Sequence, residues 1–171
     1  MHMQIFPGYN QAMTEPRWLD ESEMRAWLGF LRAHAELVYR LDRELEAAHG
    51  LSLAEYEVLA FLSEAPGGRM RPSELARQSR ISPSALTRRI DRLEKRGLVR
   101  RERCPDDARG AYAVLCREGR KRLVAAAPTH VRGVRAHFVD RLDPAQLETL
   151  AAALEAVPGH EDGDQASGCA S

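Results

Sequence analysis

Six histidines (2, 34, 49, 130, 137 and 160) and three cysteines (104, 116 and 169) are the side chains best suited to metal or nucleophilic chemistry. Their spacing supplies none of it. The chain has no CxxC, no HExxH and no phosphate-cradling glycine loop, and the cysteines form neither a zinc pattern nor a disulfide framework. An enzyme built on these residues is the weakest reading, so no catalytic residue, metal or cofactor is expected. The chemistry lies instead in cations. Residues 69–110 hold 13 basic and 6 acidic side chains, whereas the whole chain of 171 residues holds 25 of each. A neutral total thus hides one basic segment set against an acidic remainder, and one-signed charge of this kind suits a polyanion.

The elements around those cations say which polyanion. Ser82 is a good N-cap and Pro83 fits the first helical position. Leu86, Ile90 and Leu93 then recur at helical spacing and face inward, which leaves Ser84, Thr87, Arg88, Asp91, Arg92 and Lys95 outward. Gly97 stops the helix. Leu98 and Val99 open a strand that carries Arg101, and Pro105 to Gly110 make a polar turn before a returning strand, Ala111 to Leu115. A shorter helix opened by Pro72 precedes, with Leu75 and Ala76 inward and Arg71 as a weak cap. Helix, turn, helix and basic hairpin together describe a winged helix suited to duplex DNA. The expected DNA contacts are Ser84, Thr87 and Arg88 nearest the bases, the later cations Arg92 and Lys95 near phosphates, and Ser82 and Arg101 beside them. Asp107 and Arg109 lie at the hairpin tip, where an arginine can probe a minor groove.

The remaining chain supports this lobe from both sides. Residues 1–20 read as an irregular arm, and residues 21–49 as a long helix with Trp27, Leu31, His34, Val38, Leu41 and Leu45 in one seam. Residues 50–116 form the winged lobe, entered through a Ser52/Glu55 capping box. Residues 117–157 hold two helices. The first runs to about Arg141, with Pro128 inside it and a seam of Leu123, Ala127, Val131, Val134, Phe138 and Leu142. The second is capped by Asp143 and carries Leu147, Leu150, Leu154 and Val157. Residues 158–171 read as a disordered tail. The fold class expected is mostly α with a small β-hairpin wing, flanked by long terminal helices. Their seams carry more apolar surface than a small lobe needs, which points to a homodimer and, by two-fold symmetry, to an inverted-repeat operator. No apolar run approaches the ~20 residues of a membrane helix, and no signal-peptide core opens the chain, so a cytoplasmic place is expected. In a hairpin centred near residues 107 and 108, Cys104 opposes Ala111 and Cys116 opposes Val99, which separates the two thiols.

SPSALTRRIDRLEKRGLVRRERCPDDARG followed by VLCREG resembles the MarR family of bacterial transcription regulators. Asp91 to Val99 match the family's D-R-L-E-x-x-G-L-V run, and Asp107 and Arg109 match its Asp-x-Arg wing turn. Leu115 to Gly119 match its Leu-Thr-x-x-Gly motif, with Cys116 in place of threonine. The resemblance covers about residues 22–157. It implies a dimeric, mostly repressing regulator, and a role for Asp107 in steadying a nearby arginine. Some relatives bind metals; the peroxide-sensing branch uses a cysteine near the first long helix, and none precedes Cys104 here. The family also implies a small-molecule effector between the first long helices and the DNA-binding lobe. Here Trp27, Phe30, His34 and Tyr56 would line that pocket and suit an aromatic or apolar ligand with one polar group. The alternative to a ligand-released repressor is an effector-independent or architectural DNA-binding protein.

Overall fold

The computed structural model describes residues 16–104 and 107–157, with side chains at all of these except 104 and 107–110. The expected arm before residue 16, the tail from 158, and the side chains of Asp107 and Arg109 lie outside the described residues. The chain divides into two compact units at Ala35 and Glu36, inside the first helix.

The first unit contains the start of α1, which spans Glu21–His49. A reciprocal cap fixes that start. The Glu23 amide donates to the Asp20 carboxylate and the Asp20 amide to the Glu23 carboxylate, each at 2.9 Å, while Arg17 pairs with Glu23 at 2.6 Å.

In the second unit, α2 (Leu53–Glu64) begins on the expected capping box of Ser52 and Glu55. A single 3-10 turn, Pro66–Gly68, leads into β1 (Arg69–Met70). Then follow α3 (Pro72–Gln78), α4 (Pro83–Lys95), β2 (Val99–Cys104), β3 (Asp107–Leu115), α5 (Arg117–His137), a 3-10 turn at Val139–Arg141 and α6 (Pro144–Glu155). The strands form one antiparallel sheet in the order β1-β3-β2. Leu41 and Leu45 from the end of α1 join Leu51, Val58, Leu59, Leu62, Leu75, Leu86, Ile90, Leu93, Leu98 and Val99 in one buried cluster. Gly97 has a φ of 69°, and the Leu98 amide reaches back to the Leu93 carbonyl at 2.9 Å, which closes the end of α4 as expected of a glycine there.

Five expectations are corrected. β1 was not foreseen, because two residues carry no alternation. The returning strand starts at Asp107, not Ala111. Arg103 faces Ala111 but Cys104 faces Asp107, so residues 108 to 110 fall between two consecutive pairs of β2, and Val99 faces Leu115 where Cys116 was expected. The helix expected to reach Arg141 stops at His137, because Phe138 leaves helical geometry (φ −133°, ψ −70°). The inward face of α5 also differs. Gly119, Leu123, Ala126 and Gly133 are buried while Val131 is exposed. A Cβ on Gly133 would stand 2.7 Å from Leu41 Cδ2 and 2.6 Å from Glu44 Oε2. α5 therefore meets the end of α1 through small residues that a seam of large ones omits; of that seam, Leu123 is buried and Val134 packs against the core, while Val131 faces out.

Candidate nucleic-acid interface

Three inward leucine and isoleucine side chains orient α4. With Leu86, Ile90 and Leu93 buried, Ser84, Thr87, Arg88 and Lys95 are all exposed. Ser82 accepts from the Ala85 amide at 3.2 Å, and its hydroxyl lies 3.2 Å from that of Ser84. Thr87 donates to the Pro83 carbonyl at 2.9 Å, which fixes its rotamer. Arg88 and Lys95 have no ion pair among the described residues. This free crest is a row of hydroxyls and cations at the start and along the length of one helix.

The flanks of α4 are tied down. On one side the buried Glu55 accepts from Arg92 Nε at 3.0 Å and from Arg96 Nη1 at 3.1 Å. Arg96 also donates to the Gly50 carbonyl at 2.7 Å. On the other side Arg101 of β2 pairs with Asp91 at 2.7 Å and with Glu94, and its amide donates to Glu94 at 3.1 Å. The carboxylates of Asp91 and Glu94 hold the Arg101 guanidinium's proton more firmly than usual. Arg92 and Arg101, both expected among the DNA contacts, are thus ion-paired within the chain and fasten α4. Glu55 and Arg96 escaped sequence reading, because a capping-box glutamate gives no sign of a partner 37 or 41 residues away. Arg80, exposed in the turn between α3 and α4, was also missed; its φ is 51°.

At the base of the wing, the guanidiniums of Arg69 and Arg71 stand 5.1 and 5.6 Å from the Tyr112 ring centre. Glu102 bridges Arg100 at 2.5 Å and Arg69 at 3.7 Å.

The expected pocket residues fall in both units. In the first, Trp27, Phe30 and His34 are exposed and form a ladder of rings, with centres 6.5 and 6.2 Å apart. In the second, Tyr56 lies against His130 of α5 with ring centres 4.6 Å apart. Burial favours the neutral imidazole and pushes the His130 pKa below its ordinary value; burial, with Glu64 nearby, pushes that of Tyr56 up. His49 and His137 bind elsewhere, to Thr129 at 2.9 Å and to Glu44 at 2.6 Å. Among the described residues no group of three or more His, Cys, Asp or Glu could hold a metal. Cys116 is a free thiol at the N-cap of α5, where it makes no side-chain cap bond.

The same arrangement is found in known proteins. The sequence model of the MarR family matches residues 49–110, from the end of α1 to the wing. Sco3205 of Streptomyces coelicolor, a MarR family transcriptional regulator solved in complex with DNA, is 41% identical with a TM-score of 0.78, over 82% of this chain and 88% of that one. The chain belongs to the MarR family. AbsC, another MarR family regulator of that organism, is 42% identical with a TM-score of 0.76, over 82% of this chain and 94% of AbsC. The HTH-type transcriptional repressor YetL of Bacillus subtilis is 32% identical over 90 residues, 53% of this chain. That match spans about half of YetL's length, 54%. Like these MarR relatives, the chain carries the helix-turn-helix and wing as α3, α4, β2 and β3.

Proposed function

We propose that this protein is a sequence-specific DNA-binding transcription regulator, acting as a homodimeric repressor on an inverted-repeat operator. The observation that carries the reading is the free crest of α4, with Ser84, Thr87, Arg88 and Lys95 exposed on a helix whose flanks are fastened by ion pairs. Preorganised donors on a rigid helix can enter a major groove, where the first residues meet base edges and later cations meet phosphates. The DNA complex of Sco3205 and the description of YetL as a repressor support it. Such a regulator works beside the chromosome, in the cytoplasm, and no helix among the described residues is long and apolar enough to cross a membrane.

The test is Arg88→Ala, measured on a duplex selected by the wild-type chain and on random duplex. The expected loss is ~1–3 kcal/mol on the selected sequence, with relaxed preference at one base pair. Equal losses on both duplexes would make Arg88 a phosphate contact.

Relief by a small apolar ligand is a further part of the reading. It draws support from the exposed ladder of Trp27, Phe30 and His34, whose imidazole can donate or accept. A ligand releases DNA only by favouring the arrangement that cannot bind it. His34→Ala is therefore expected to keep its DNA affinity and lose the ligand response; a full response in that variant removes His34 from the site.

A further inference from the structure

Glu55 is a carboxylate that a helix cap does not need to bury. Its side chain is only 6% exposed, and it collects donors from three places: the Ser52 amide at 3.3 Å, Arg92 and Arg96. Both arginines sit on one flank of α4, beside the free crest. Arg92 follows Arg88 by one helical turn, so the two point in neighbouring directions. The Arg92 side chain is 54% exposed, so without Glu55 it would be free to swing toward a phosphate backbone lying along the crest. A buried carboxylate is weakly screened and cannot lose its donors cheaply, which makes this pairing persistent.

Phosphate contacts raise affinity for every sequence alike, whereas base contacts separate one sequence from another. We propose that Glu55 sets the DNA selectivity of this protein by withholding Arg92 and Arg96 from phosphates. This rests on the DNA-binding reading above. The crest then acts with Arg88 and Lys95 alone, and the recognition helix attracts duplex less strongly than its sequence charge suggests. Glu55 is in this sense a specificity-determining residue that touches no DNA.

Glu55→Gln is the direct test. Glutamine also closes a capping box, so the start of α2 is kept while the charge is removed. DNA binding is measured against salt on a duplex selected by the wild-type chain and on random duplex. The expected result is tighter binding to random duplex, a log K against log salt slope steeper by about one to two, and a fall of about tenfold in the ratio of selected to random affinity. Adding Arg92→Gln and Arg96→Gln to Glu55→Gln returns the slope to the wild-type value. An unchanged slope in Glu55→Gln, with both affinities falling by one factor, overturns the proposal and leaves Glu55 a packing residue. If Glu55→Gln does not fold, the triple variant decides alone. A wild-type slope supports withholding, and a slope shallower by about two shows that the arginines were bound to phosphate all along. A wild-type chain that binds neither duplex at any salt refutes the DNA reading instead.

Discussion

His130 shows what a single side chain contributes in this fold. Its ring lies against Tyr56, and its Nδ1 is buried with no hydrogen-bond partner. Desolvation holds its folded pKa below the ordinary 6.5. Between those two values the unfolded chain binds the extra proton. The stability due to neutral His130 is therefore complete above pH 6.5 and lost as pH falls toward the folded value. Urea unfolding should accordingly give a stability that falls as pH drops below 6.5. His130→Phe keeps a ring against Tyr56 and should flatten that fall; an equally steep fall in the variant discards the assignment. At this scale the sequence was only partly readable. The exposure of Ser84, Thr87 and Arg88 followed from helical periodicity. The partners of Arg92 and Arg101 did not, because ion pairs across elements depend on how α2, α4 and β2 pack.

Among the elements, α5 is the one whose inner face sequence periodicity drew only in part, with Leu123 and Val134 inward as expected but Val131 exposed and Gly119, Ala126 and Gly133 overlooked. The Leu98 carbonyl accepts from the Cys116 amide at 3.0 Å and sits over the first turn of α5. A Cβ at Gly119 would stand 2.1 Å from that carbonyl oxygen. The glycine of the Leu-x-x-x-Gly motif is thus a spacer that lets α5 approach the strand leaving α4. Gly119→Ala should cost ~1–3 kcal/mol or more, since backbone cannot step aside as a side chain can. A denaturant midpoint equal to the wild type would show that the contact is not tight. By contrast the starts of α2, α3, α4 and α6 were legible. Each lies in a local signal, a capping box or a proline at the first position, that needs no tertiary partner.

For the whole molecule, the issue is apolar surface left uncovered. Trp18, Leu19, Trp27, Leu28, Phe30 and Leu31 are exposed in the first unit, as are Val131, Leu154 and Val157 in the second. α6 buries none of its residues, although Leu147, Leu150 and Leu154 give it an apolar side. Surface of this extent marks an interaction site, and the proposed homodimer would cover the part of it outside the Trp27 and Phe30 ladder. Sedimentation at micromolar concentration should report twice the 19.1 kDa of the chain, and Leu154→Glu should shift the balance toward monomer. A wild-type monomer under those conditions sinks the dimer, and with it the argument for an inverted repeat.

Arg80 carries a consequence for how far this fold could be stabilised. It is held at a φ of 51°, where a Cβ crowds the following carbonyl at a cost of about 1–2 kcal/mol. Asparagine tolerates that backbone better. Arg80→Asn should thus raise the melting temperature, and if the exposed guanidinium serves DNA it should also weaken binding. The turn would then be a small trade of durability for grip, in which the most heat-resistant version of the protein is not the best regulator. A variant with a higher melting temperature and undiminished DNA affinity would show that the strain at Arg80 serves no purpose in binding.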